Sequence, residues 1–191
     1  MTSKKSGRMK SSVDPSVLAP LGLLVVNFNL IEEMLSFTIW SLLGCEQRLG
    51  MCATTQLSFR GLINAFCSLY YLRAIDDPDT VASVQSLRVR LEAVEQKRNE
   101  LLHSQWMVGM KPGLSGRSKA SAKAKKGLVI RYVDVSAADI TAVADEMGAL
   151  SGEVLNLYFA FWEKHGGLQE VMLKAMPEDE ARELLPELSQ E

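Results

Sequence analysis

The chain is poor in the side chains from which metal sites and disulfide frameworks are built. Its 191 residues include three Cys and two His, and these show neither the spacing of a zinc site nor the even number of a disulfide framework. We expect no zinc and no disulfide, with Cys45, Cys52 and Cys67 acting as small apolar side chains in a reducing cytosol. A glycine-rich phosphate loop is also absent, as are carboxylate pairs with metal-site spacing, so we expect no metal and no other cofactor.

Long hydrophobic runs are absent as well. An apolar run near the N-terminus, residues 17–26, follows four basic residues as a signal peptide would. It stops at Asn27, however, whereas a membrane span needs about 20 apolar residues. Beyond Asn27, apolar residues continue at steps of three and four as far as Leu42. We therefore expect a buried amphipathic helix between Pro15 and Gly44, no membrane partner, and a cytoplasmic protein.

Acidic residues are missing from residues 107–133, although the whole chain has 23 acidic and 21 basic residues and a formal net charge of −2. Gly, Ser, Ala and Pro dominate the middle of this stretch. We interpret residues 107–135 as a flexible basic loop or a short β-hairpin. Three uses stay open: phosphate binding, an ordinary solvated linker, or contact with the acidic bodies of neighbouring subunits. The candidate RNA-binding residues are Lys111, Arg117, Lys119, Lys123, Lys125 and Lys126.

Apolar residues at helical spacing predict four helices on either side of this segment. Thr54 or Thr55 is the candidate cap of the second helix, the turn at Asp77 caps the third, and Ser136 with Asp139 forms a partial capping box for the fourth. The periodic positions of the first helix include Val25 and Phe28. The predicted helices cover approximately residues 15–44, 54–70, 78–104 and 136–166.

The length of the chain fits one domain with tails. We predict an all-α fold: an antiparallel four- to five-helix bundle with the basic loop or hairpin between the third and fourth helices. The bundle is expected to span residues 15–166. A basic arm precedes it at residues 1–14, and an acidic segment at residues 167–191 forms a short helix or frays.

The end of the third predicted helix carries Arg98, Asn99 and His103, a combination suited to metal-free cleavage of RNA. A guanidinium forks onto a phosphate, an imidazole exchanges a proton near neutral pH, and an amide holds either group in place. At about 100° per residue, Asn99 and His103 share a face, while Arg98 lies roughly 140° from His103. We therefore expect the site to be completed across an interface. The alternative is that His103 interacts with the helix dipole and Arg98 is a solvated charge.

Residues 98–106, RNELLHSQW, resemble the HEPN superfamily, whose signature is an Arg, a polar residue directly after it, and a His after four to six intervening residues. The resemblance implies a helical-bundle homodimer with both motifs in an interface cleft. It also implies an endoribonuclease of toxin–antitoxin, phage-defence or RNA-processing systems, with a possible antitoxin or regulatory partner, although the superfamily includes inactive scaffolds. Gln105 stands where toxins paired with nucleotidyltransferase antitoxins usually have Tyr.

Three further residues are candidates for a supporting role. Glu32 and Glu33 lie within an apolar helical stretch, so one of them pairs with Arg98 or both are exposed. We expect Trp106 either to stack on an unpaired base of the RNA or to pack at the end of the bundle.

Two hypotheses follow from these residues. In the first, the protein is a metal-independent endoribonuclease in which Arg98, Asn99 and His103 promote attack by the RNA 2′-hydroxyl. In the second, it is a non-catalytic dimerisation or partner-binding module of the same fold.

Overall fold

The computed structural model describes residues 14–111, 113–123 and 127–165. It has five helices and one three-stranded sheet, in the order helices, sheet, helix. A short 3-10 turn, Pro15–Val17, leads into the first helix. The helices are α1 Leu18–Leu43, α2 Gln47–Thr54, α3 Phe59–Arg73, α4 Pro78–Leu102 and α5 Ala137–His165. The strands are β1 Gln105–Val108, β2 Ser115–Lys123 and β3 Gly127–Val135.

The largest helix contact joins α1 to α5, which run parallel. The Asn27 side chain donates a hydrogen bond to the Ala144 carbonyl at 2.8 Å, and further along both helices the Ser41 hydroxyl lies 3.3 Å from that of Tyr158. Asn27, which interrupts the apolar run, is therefore used as a polar link between two core helices.

Helix α4 runs antiparallel to α5. In the middle of α4, Arg90 forms ion pairs with Glu146 at 2.8 Å and Glu153 at 2.5 Å. At the beginning of α4, Asp77 contacts Lys164, near the end of α5, at 2.7 Å. The C-terminal turn of α4 consequently lies at the end of the bundle where α1 and α5 begin.

The sequence missed the short helix α2, which returns along α1 and allows successive helices to alternate in direction. Gly50 lies against Trp40 of α1, and the Trp40 indole donates to the Thr54 hydroxyl at 2.9 Å. The prediction that Thr54 or Thr55 caps the following helix is wrong. Thr54 ends α2, and Ser58 caps α3 by accepting from the Gly61 N–H at 3.1 Å. Packing against Trp40 positions this segment, which is only 8 residues long and has no side-chain cap at its start.

Three other predicted helix ends are confirmed. Gly44 ends α1 in the left-handed conformation, with φ of 64°. Asp77 caps α4, and Ser136 and Asp139 exchange backbone-to-side-chain hydrogen bonds in a capping box at the start of α5. Two predicted core positions differ. Val25 is exposed, because the buried stripe of α1 passes through Leu24 instead, and Leu57 is exposed, because α3 begins only at Phe59.

The region between α4 and α5 is an antiparallel sheet in the order β1-β2-β3. The all-α prediction is therefore wrong in this segment, and the hairpin alternative was the better one. Alternating residues of β2 and β3 allow one face of the sheet to dock on the bundle, where Ser115 and Val135 are buried. The coarser prediction of a largely helical protein is confirmed.

One helical stretch among the described residues, Pro15–Leu43, is long and apolar enough to cross a membrane, with a mean hydropathy of 1.5 over an 18-residue window. Core helices of soluble proteins and signal sequences both have this length and composition. One side of α1 packs in the core, through Leu24, Phe28, Ile31 and Leu35, whereas Leu18, Leu23, Val26 and Leu30 are exposed.

Several predicted features lie outside the described residues. They are the basic arm up to residue 13, Lys125, Lys126 and the acidic segment at residues 167–191. Lys123 is described only as the last residue of β2.

Candidate functional site

Arg98 is held in place on the last two turns of α4. Its guanidinium donates to the Asn99 side-chain oxygen at 2.9 Å and lies over the Phe28 ring, 4.4 Å from the ring centroid. Phe28 is buried and packs against the Phe59 ring at 4.5 Å. The half-buried Arg98 therefore carries a positive charge whose position is set by α1 and α4 together.

Glu32 is the carboxylate of the predicted pair that faces this charge. It lies one turn after Phe28 and is half-buried, whereas Glu33 is exposed. Burial raises the pKa of the Glu32 carboxyl above its ordinary value, and the charge of Arg98 opposes that rise. No ion pair within 4.0 Å joins Glu32 to Arg98 among the described contacts, so their interaction is electrostatic at longer range.

His103 stands apart from Arg98. It is the exposed C-cap residue of α4, and its backbone N–H donates a hydrogen bond to the Asn99 carbonyl at 3.3 Å. Within the described residues, no hydrogen bond to the His103 ring is present. The structure therefore brings Arg98 and Asn99 together and leaves the imidazole open to solvent. Asn99 orients the guanidinium rather than the imidazole.

The sheet is docked on the C-terminal carbonyls of α4. The Trp106 indole donates to the Leu101 carbonyl at 3.0 Å, which favours the packing role for Trp106. Arg117 donates to the Glu100 carbonyl and pairs with the Glu100 carboxylate, both at 3.2 Å. These donors satisfy carbonyls that a helix end leaves without partners, and the Arg117 charge complements the helix dipole.

Arg117, a candidate RNA-binding residue, is therefore engaged in holding the sheet to α4. Lys119 is partly engaged, because its ammonium donates to the Asn99 carbonyl at 3.5 Å. Lys111 is exposed in the turn before β2. Sequence reasoning did not select Arg131, which lies directly opposite Lys119 in the β2–β3 pairing and is exposed. The alternation of side chains along the hairpin could have indicated Arg131, but only if the pairing of the two strands had been known.

Two open cavities adjoin these residues. One of about 370 Å³ lies between the end of α4, β3 and the start of α5, and its lining includes Lys97, Glu100, Arg117 and Val133. The other, of about 260 Å³, lies between α1 and α2, with Glu32, Trp40 and Thr54 in its wall. The first cavity adjoins the candidate motif through Lys97 and Glu100, and the second adjoins it through Glu32.

The described residues contain no group of three or more His, Cys, Asp or Glu side chains able to hold a metal ion. All three cysteines are free. Burial raises the pKa of the Cys67 thiol to about 11, which keeps this side chain in the unreactive thiol form.

Comparison with known proteins assigns no family to this chain. It matches no protein-family model, no curated protein and no solved structure. The resemblance to the HEPN superfamily accordingly rests on residues 98–106 and on helical architecture.

Proposed function

We propose that the protein is a metal-independent endoribonuclease of HEPN type, acting as a homodimer in the cytoplasm. The observation that supports this function best is the fixed guanidinium of Arg98, held by Asn99 and Phe28 on the turn that also presents the exposed imidazole of His103. A preorganised positive charge stabilises a phosphorane-like transition state without the reorganisation that a mobile side chain requires.

In the proposed reaction, His103 removes the proton of an RNA 2′-hydroxyl. The 2′-oxygen attacks the adjacent phosphorus, and the bond from phosphorus to the 5′-oxygen breaks. Arg98 stabilises the negative charge on the phosphoryl oxygens, and Asn99 keeps the guanidinium oriented. The imidazole that took the 2′-hydroxyl proton belongs to the second copy and then gives that proton to the leaving 5′-oxygen, and the products are a 2′,3′-cyclic phosphate and a 5′-hydroxyl.

The test is incubation of the purified protein with RNA in EDTA. We expect cleavage by the wild type, and loss of cleavage in Arg98→Ala and His103→Ala. The matched control is His165→Ala, because His165 lies at the opposite end of the bundle, beside Asp77. A fully 2′-deoxy substrate should remain intact. Cleavage that disappears on chelation, or that survives in His103→Ala, would contradict the proposal.

A non-catalytic dimerisation or partner-binding module is the second candidate. The exposed apolar side chains of the first half of α1 favour it, since contiguous apolar surface often marks an interaction site. An intact RNA substrate, together with a stable dimer, would decide for this alternative.

A further inference from the structure

The strand register gives the two faces of the β2–β3 hairpin different environments. Arg117 and Trp106 are cross-strand neighbours, and both contact the end of α4. Side chains alternate along a strand, and directly opposed residues share a face. Lys119, two residues after Arg117, is therefore on the face turned toward α4, and so is its partner Arg131.

Lys119 and Arg131 form a like-charged pair directly opposite each other. Such a pair destabilises a sheet unless its charge is balanced. Neither side chain has an ion pair within 4.0 Å in the described part of the chain. The nearby Glu100 carboxylate is taken by Arg117, and Asp134 lies on the other face, where it accepts from the Met110 N–H at 3.0 Å. Among the residues that the structure describes, the two cations are thus left without a compensating anion.

The position of this pair relates it to the candidate motif. Lys119 contacts the Asn99 carbonyl at 3.5 Å, and the Asn99 side chain holds Arg98. Cβ atoms of directly opposed residues are about 5 Å apart, so Arg131 reaches the same region. A guanidinium beside an ammonium offers several N–H donors to one phosphate.

We propose that Lys119 and Arg131 form a subsite for a backbone phosphate of single-stranded RNA, next to the phosphate at Arg98. The inference rests on RNA being the ligand in the proposed function, but it does not depend on cleavage. It separates the basic residues of the sheet into two groups. Arg117 holds the sheet to α4, whereas Lys119 and Arg131 bind the ligand.

Binding is measured with a 2′-O-methyl RNA oligonucleotide, which has no free 2′-hydroxyl and is not cleaved. Fluorescence anisotropy over a series of salt concentrations gives the affinity and its salt dependence. Arg131→Gln and Lys119→Gln should each weaken binding about three- to fivefold at low salt. Each should also reduce the log–log salt slope by about 0.7, the value for one single-strand phosphate contact. The matched control is Arg48→Gln, because Arg48 is exposed on α2 toward the other end of the bundle.

Arg131→Glu gives a second readout that does not depend on RNA. It replaces the like-charged pair with an opposite-charged one, so the thermal midpoint of unfolding should stay the same or rise while RNA binding falls. A variant that merely damaged the sheet would lose both.

Unchanged binding in Arg131→Gln overturns the subsite, as does a wild type that does not bind the oligonucleotide. Competition by poly-glutamate as strong as that by RNA of equal charge also overturns it, in favour of an acidic protein ligand. If Arg131→Gln weakens binding but the wild type does not cleave RNA, the subsite is supported and the endoribonuclease proposal is refuted. The two proposals therefore fail separately.

Discussion

Replacing Gly50 with alanine tests the packing of α2 on α1, which forms one wall of the cavity beside Glu32. A Cβ atom at this position would lie 2.2 Å from Cγ and 2.3 Å from Cδ1 of Trp40. Trp40 cannot easily move aside, because the residue is only 9% exposed and its indole N–H donates a hydrogen bond to the Thr54 hydroxyl. Gly50 is thus required by the close approach of α2 to the ring, although glycine is unfavourable inside a helix.

Two opposing effects set the magnitude. Alanine in place of glycine favours a helix by about 1 kcal/mol. Overpacking typically costs about 1–3 kcal/mol, and displacement of Trp40 forfeits a buried hydrogen bond of about 1 kcal/mol. We therefore expect Gly50→Ala to lower the free energy of unfolding by about 1–3 kcal/mol. For a chain of this size, the thermal midpoint falls by about 2–4 °C for each kcal/mol.

Gly152→Ala is the matched control. Gly152 is an exposed residue of α5, and a Cβ there meets no atom within 4 Å. This substitution should raise the free energy of unfolding by about 0.5–1 kcal/mol, which is the helix propensity alone. Urea denaturation of the two variants measures both effects. A Gly50→Ala variant as stable as the wild type would refute the packing of α2 on Trp40.

Three further perturbations test other parts of the structure. Hydrogen bonds from Lys164 and Thr80 hold the pKa of Asp77 well below its usual range, so its contribution to stability is present above about pH 4 and is lost as the pH falls through the lowered pKa. Thermal unfolding should therefore show a smaller difference between Asp77→Asn and the wild type at pH 3 than at pH 6. Ser58→Ala should cost about 1 kcal/mol by removing the α3 cap, as urea denaturation measures. By light scattering, Val26→Lys should dissociate a homodimer formed through the exposed face of α1, whereas Val89→Lys, exposed on α4, should not; a wild-type monomer at micromolar concentration would contradict the dimer.

The long helices were predictable because their signals are local. Apolar spacing gave the buried stripes, and Gly44, Asp77 and Ser136 gave helix ends that depend on only a few neighbouring residues. Helix α2 is only 8 residues long and has no side-chain cap at its start. Its larger apolar residues, Leu49 and Met51, are exposed, and its position depends on a tryptophan of another helix. Contacts between distant residues of this kind cannot be inferred from spacing.

The candidate site was predictable only in part, for a similar reason. Helical spacing placed Arg98 and Asn99 near the end of α4, and the structure agrees. The role of each basic residue after α4 depends on the register of the sheet, since a shift of one residue moves every side chain to the other face. If this segment were an unpaired basic loop, nothing would distinguish the role of Arg117 from that of Lys119. In the observed pairing, Arg117 holds the sheet to Glu100 of α4, whereas Lys119 lies opposite Arg131.

The direction of Arg98 explains why the proposed chemistry requires a second copy of the chain. Its guanidinium is turned toward Phe28 of α1 and fixed there, while the imidazole of His103 is exposed beyond the helix end. With the two groups roughly 140° apart around α4, a phosphate at Arg98 is not also presented to the imidazole of the same chain. A two-fold axis beside the α4 ends would bring the imidazole of one copy toward the arginine of the other, because an isologous contact places each motif against its equivalent. The proposed homodimer and the proposed nuclease are therefore linked, since the guanidinium of Arg98 is directed toward Phe28 whereas the imidazole of His103 is exposed to solvent.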